Sequence, residues 1–123
     1  MGKPVVHFEV IGKDPDKLQS YYSELFDWKF EDPPGDNNPT NYRVMPRDEG
    51  NGGIGGGIGG TPEGYDGHVT FYVAVPDVEA SLKQAEELGG KAMMGPHNVT
   101  DSMVIALFTD PEGHTIGLVN DDM

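Results

Sequence analysis

Val5-Val6-His7-Phe8-Glu9-Val10-Ile11-Gly12, followed at once by Asp14-Pro15, is the stretch that decides the fold. A β-branched and aromatic run closed by glycine reads as a strand. Asp14 is a helix start, because its carboxylate accepts from the free N–H groups of a first turn, and Pro15 suits a first helical position that needs no N–H partner. Leu18, Tyr21, Tyr22, Leu25 and Phe26 follow at helical spacing and predict one apolar helix face. Trp28 to Glu31 then alternates like a strand until Asp32-Pro33-Pro34-Gly35 breaks it. Asn41 to Met45 predicts another short strand, and Ile54 and Ile58, set among the glycines from Gly50 to Gly60, a fourth.

The same order then recurs. Val69 to Val75 reads as a strand, and Asp77 caps a helix whose inward face is Val78, Ser81, Leu82, Ala85 and Leu88, until Gly89-Gly90 stops it. Lys91 to Met94 and Met103 to Phe108 are strands, Asp110-Pro111-Glu112-Gly113 is a tight turn, and His114 to Val119 is the last strand. Asp14 and Asp77 stand 63 positions apart, and Leu25-Phe26-Asp27-Trp28 stands 62 positions before Glu87-Leu88-Gly89-Gly90. The halves look like duplicated units. A half of about 60 residues buries too little surface to be comfortable alone, so the two sheets are expected to share a core or to face each other across a cleft. The expectation is therefore a single α+β domain over residues 1–123, made of two tandem βαβββ modules at about 1–62 and 63–123.

Eight Lys and Arg against twenty-one Asp and Glu give the 123 residues a formal net charge of −13. So acidic a surface repels phosphate backbones and anionic headgroups, and neither nucleic acid nor membrane is expected as a partner. No apolar run reaches the roughly 18 residues of a membrane span. The N-terminus enters a strand-like run without the charged-then-apolar pattern of a leader, and there is no cysteine for a disulfide, a thiolate metal site or a nucleophile. These features predict an acidic cytoplasmic protein.

The duplicated order resembles the vicinal oxygen chelate superfamily of glyoxalase I, extradiol dioxygenases and bleomycin-resistance proteins, and in particular its small glyoxalase-like members. The strings that carry the resemblance are His7-Phe8-Glu9-Val10, Tyr21-Tyr22 before Leu25-Phe26-Asp27-Trp28, Tyr72-Val73-Ala74-Val75-Pro76-Asp77-Val78 and Asp110-Pro111-Glu112-Gly113-His114. It implies two βαβββ modules whose sheets form one curved sheet around a shared cavity that takes a small molecule. In metal-using members, ligands come from the first and last strands of each module. His7 matches the first-strand ligand, and the corresponding place in the second module is Thr70, a poor donor for a divalent metal. The last-strand ligand, usually Glu, falls on Gly117, and the Ile54 to Ile58 stretch offers neither Glu nor His. Three of four ligand positions are thus lost, His7 is the one candidate metal ligand, and no cofactor is expected.

Other residues are weighed on their own chemistry. Glu9 lies two residues beyond His7, hence on the same strand face, where a carboxylate could act as a base or bind a cation. His68, Thr70 and Tyr72 share a face of the later strand, and a shift of register would let His68 replace the missing ligand. His97 and His114 read as surface residues. Tyr42, Trp28, Tyr65 and Phe108 could form an aromatic wall. The glycine run lacks the Gly-Lys-Ser/Thr ending of a phosphate loop, and no Gly-x-Ser-x-Gly elbow is present. The expected ligand-binding residues are His7, Glu9, Tyr42, His68, Thr70, Tyr72 and Gly117, with no catalytic residue assigned. The function expected is metal-free binding of a small molecule; the alternative is a divalent-metal lyase, isomerase or dioxygenase, and homodimerisation, common in related proteins, is left open.

Overall fold

The structure, a computed structural model, describes residues 2–32, 41–46 and 53–121. The break at Pro33-Pro34-Gly35 and the opening of the glycine run at Gly50–Gly52 lie outside the described residues. The elements follow in the order β1 (Val5–Gly12), α1 (Pro15–Phe26), β2 (Arg43–Met45), β3 (Gly55–Gly60), β4 (His68–Val75), α2 (Val78–Glu87), β5 (Lys91–Asn98), β6 (Val104–Thr109) and β7 (Thr115–Asn120). The class is α+β, as the sequence predicts. Two compact units are distinguished: His7–Val69, and the described residues on either side of it. Among the described residues no helix is long and apolar enough to cross a membrane.

In the His7–Val69 unit, β3 pairs in parallel with β1, Glu9 beside Gly57, and antiparallel with β2, Val44 beside Gly57. Asp14 caps α1 by accepting from the Lys17 N–H at 3.1 Å, and Pro15 fills the first turn. One expectation fails here: Trp28–Phe30 is not a strand, and Glu31 makes only an isolated bridge to Val44. Two local forces bend the chain away. Asp27 takes a left-handed φ of 59° to end α1, and Ser23 Oγ donates to the Trp28 carbonyl at 2.8 Å, removing it from any ladder. The Trp28 ring meanwhile lies 5.0 Å from both Phe8 and Phe26 and 5.7 Å from Tyr22.

The apolar face expected of α1 is also only partly used. Tyr21, Leu25 and Phe26 are exposed, and the helix residue most deeply buried is Gln19, at 4% exposure. Its Nε2 donates to the Ile58 carbonyl at 3.0 Å and to the Asn41 carbonyl at 3.1 Å. A strand of glycines presents backbone rather than side chains, so the helix above it must satisfy polar groups.

In the other unit the order is β4-β7-β6-β5, with β4 and β7 parallel and the remaining pairs antiparallel. Val78 and Leu82 of α2 pack with Val75, Ala106 and Leu118 on one face, while Tyr72, Ala74, Leu107 and Val119 cluster on the other. Successive residues of a strand point to opposite faces, so each strand supplies both clusters and both faces are buried. The Asp110–Gly113 turn is tied by Asp110 Oδ1, which accepts from the backbone N–H groups of Glu112 and His114, both at 2.9 Å.

Replacing Gln19 with Ala takes the amide donor from the Ile58 carbonyl, which is buried, and from the Asn41 carbonyl, which is partly so. The expected loss is roughly 1–3 kcal/mol of folding stability, seen as a lower urea midpoint with an unchanged m-value.

Candidate functional site

On β1 the side chains alternate. Phe8, Val10 and Gly12 belong to the face covered by α1, where Leu18 lies against Gly12. His7 and Glu9 therefore lie on the face turned away from α1. The parallel register puts Gly55 beside His7 and Gly57 beside Glu9 on that same face. With no side chains of their own, these glycines leave a trough, and Tyr42 occupies it. A Cβ built on Gly57 would sit 2.1 Å from the Tyr42 hydroxyl, and one on Gly59 2.6 Å from the Tyr42 ring. The ring so placed brings its hydroxyl 3.0 Å from His7 Nε2. Burial pushes the His7 imidazole below its ordinary pKa, and the charge of Glu9 offsets part of that shift.

Glu9 is buried, not the solvent-facing carboxylate that an exposed strand would give. Its side chain is 9% exposed, and Oε2 meets His68 Nε2 at 2.7 Å, with the His68 side chain 8% exposed. On its other edge, His68 Nδ1 lies 2.5 Å from the Tyr65 hydroxyl. The local fold explains the reach of Tyr65. Its N–H returns to the Pro62 carbonyl at 3.2 Å, closing a turn through Gly64 at φ +84°. Gly67, at φ +112°, then brings the chain so close to β1 that a Cβ there would lie 2.1 Å from the Ile11 carbonyl oxygen. Only glycine combines that φ with that approach.

Four expected site residues, His7, Glu9, Tyr42 and His68, thus come together in the His7–Val69 unit. The other three belong to the second unit. There Thr70 is buried and its hydroxyl donates to the Thr115 carbonyl. Tyr72 is paired with Gly117 across the β4–β7 ladder, and a Cβ on Gly117 would lie 2.5 Å from the Tyr72 ring. Of the other aromatics considered, Trp28 lies on the α1 side with Phe8, and Phe108 packs beside α2. His97 is exposed, and His114 Nδ1 lies 3.0 Å from Asp110 Oδ2 at the surface. A hollow of about 320 Å³ in the second unit, lined by Ala85, Leu88, Phe108 and Leu118 among others, involves none of the seven.

Sequence reasoning missed Gln19 and the role of Tyr65. Gln19 carries no signal, since a polar residue in an amphipathic helix reads as solvent-facing. Tyr65 carries a faint one: an aromatic between two glycines, three residues before a strand-opening His.

The chain belongs to the Glyoxalase/Bleomycin resistance protein/Dioxygenase superfamily, whose family model matches residues 5–118. Two curated relatives named "Putative glyoxylase CFP32", from Mycobacterium bovis and Mycobacterium tuberculosis, are each 29% identical over 106 residues, which is 85% of this chain and 41% of theirs. The chain thus spans about two fifths of the length of these curated relatives. Among solved structures, a superfamily member from Vibrio splendidus aligns with a TM-score of 0.63 at 15% identity, covering 98% of this chain and 100% of that one. A Streptomyces coelicolor methylmalonyl-CoA epimerase variant in complex with 2-nitronate-propionyl-CoA aligns at 0.61 with 17% identity, covering 98% and 95%. At such identities the likeness is one of fold.

The lowered His7 pKa gives stability a pH dependence of definite sign. The unfolded chain takes up a proton near the ordinary value of 6.5, while the folded chain resists until a lower pH. Stability from this source is therefore full above pH 6.5 and is lost as pH falls below it towards the folded pKa. His7→Gln should flatten the slope in that window by up to about 1.4 kcal/mol per pH unit, measured by urea unfolding between pH 5 and 7.5.

Proposed function

We propose that this chain binds a small polar molecule on the face built from His7, Glu9, Tyr42 and His68, and that it does so without a metal ion. The observation that carries the reading is what fills the strand positions where the superfamily resemblance implies a carboxylate ligand. In the first unit β3 offers Gly57, whose side-chain space holds the Tyr42 phenol; in the second β7 offers Gly117, whose space holds the Tyr72 ring. The remaining donors are engaged too. His7 Nε2 faces Tyr42, both ring nitrogens of His68 have partners, and the Thr70 hydroxyl is spent on a backbone carbonyl. Among the described residues, the donors of neither unit fit a divalent ion that needs three or four side-chain ligands.

Phenol, imidazole and carboxylate together suit a polar ligand that exchanges hydrogen bonds, and a net charge of −13 favours a cationic or neutral molecule over an anion. The name of the curated relatives, "Putative glyoxylase CFP32", and the 2-nitronate-propionyl-CoA bound by the structurally similar epimerase go with small-molecule chemistry on this fold. The same acidity and the absence of cysteine go with a cytoplasmic setting.

After exhaustive dialysis, untagged protein should hold no stoichiometric metal, and added Ni²⁺, Zn²⁺, Mn²⁺ or Fe²⁺ should leave its melting temperature unchanged. A one-to-one ion that raises the melting temperature in wild type but not in His7→Ala would overturn the reading in favour of a metal-dependent lyase, isomerase or dioxygenase. In a calorimetric screen, cationic and neutral polar compounds should bind ahead of anions, and Tyr42→Phe should weaken the best of them by about tenfold, the value of one hydrogen bond.

A further inference from the structure

Glu9, His68 and Tyr65 form a continuous hydrogen-bonded chain, and metal-free binding does not account for it. Two of its three members are more than nine-tenths buried. The order of groups is carboxylate, imidazole, hydroxyl. A carboxylate on one ring nitrogen fixes the imidazole's orientation and tautomer and stabilises the imidazolium; the other nitrogen is then a base for the hydroxyl. With Glu9 accepting from Nε2–H, Nδ1 carries the free lone pair, and the Tyr65 O–H points at it. The turn closed by Tyr65 N–H on the Pro62 carbonyl, and the constrained Gly67, hold the phenol there. Tyr65 itself is half-buried, so the relay runs from a buried carboxylate to a phenol in part exposed to solvent.

We propose that Glu9, His68 and Tyr65 are a proton-transfer relay that makes the Tyr65 hydroxyl the chemically active group of this unit, towards small neutral molecules bearing an acidic O–H or N–H. The ligand's proton passes to Tyr65 Oη as the phenol's own proton passes to His68 Nδ1. The ligand is left as an anion, and the imidazolium is held by the Glu9 carboxylate; the reverse steps restore the start. No electron pair changes oxidation level and no co-reactant is required. The proposal rests on the reading of this face as a small-molecule site, yet it is tested without any ligand and independently of metal.

The probe is an aryl sulfonyl fluoride, which reacts with a phenol as it is deprotonated: the O–S bond forms, the S–F bond breaks, fluoride leaves, and the phenolic proton goes to the base. Tyr21, 58% exposed and on α1, is the internal reference. Labelling followed by peptide mass spectrometry should find Tyr65 modified about tenfold or more faster than Tyr21, a modest share of what an oriented base supplies. His68→Gln and, independently, the near-isosteric Glu9→Gln should each bring Tyr65 down to the Tyr21 rate while Tyr21 keeps its own. That unchanged reference, with an unchanged circular dichroism spectrum, separates loss of the relay from loss of the fold. Tyr65 reacting no faster than Tyr21 in the wild type would overturn the proposal. So would a fast Tyr65 that keeps its rate in both variants. Neither result touches the metal experiment, and metal uptake would leave the labelling ratio to be judged on its own.

Discussion

A strand made almost wholly of glycine cannot supply its own packing, and β3 is nevertheless completely buried, with Ile58 at 0% exposure as its one large side chain. Both of its faces must be filled from elsewhere. On the α1 side Phe8 covers Gly56, at a place where a Cβ would lie 2.1 Å from the Phe8 ring, and Gln19 donates to the strand's own carbonyl. On the other side the filler is Tyr42, an aromatic whose polar tip must find a partner when buried. That requirement is met by His7 at 3.0 Å. One packing demand thus places a helix, an aromatic cluster and the first pair of polar groups at the candidate site.

The two units meet the same demand differently. Tyr72 and Gly117 are direct neighbours across the β4–β7 ladder, and the ring fills the glycine's place as ordinary cross-strand packing within an apolar cluster. Tyr42 reaches Gly57 from before β2, and its hydroxyl is held by the His7 imidazole at 3.0 Å. The two units, whose helix starts Asp14 and Asp77 stand 63 positions apart, are therefore filled with unequal chemistry: Tyr72 belongs to an apolar cluster, while Tyr42 joins a polar network.

Much of this was legible in the sequence because it is local. Asp14-Pro15 and Asp77 place helix starts through capping geometry, and β-branched runs ending in glycine place the strands. Alternation along β1 put His7 and Glu9 on one face. What was not legible depends on contacts distant in sequence. Nothing near Trp28 announces that its ring would join Phe8 and so abandon a strand pattern. Gln19 looks like a solvent-facing helix residue until the Ile58 carbonyl, 39 positions later, proves to need a donor. His68 at a strand opening looks exposed until Glu9, 59 positions earlier, proves to face it.

Stability alone gives little reason for that last pair. Removing a carboxylate and an imidazole from water costs several kcal/mol, and their mutual attraction seldom returns much more than it costs; two well-packed apolar side chains would serve as well or better. The cost is lowered by satisfying every strong site, and here Tyr65 supplies the remaining imidazole nitrogen with a partner at 2.5 Å. The turn that brings the phenol there passes through Gly64 at φ +84°, a conformation that glycine takes without steric penalty. Groups arranged at such a cost, in the order carboxylate, imidazole, hydroxyl, are better explained by proton transfer than by packing.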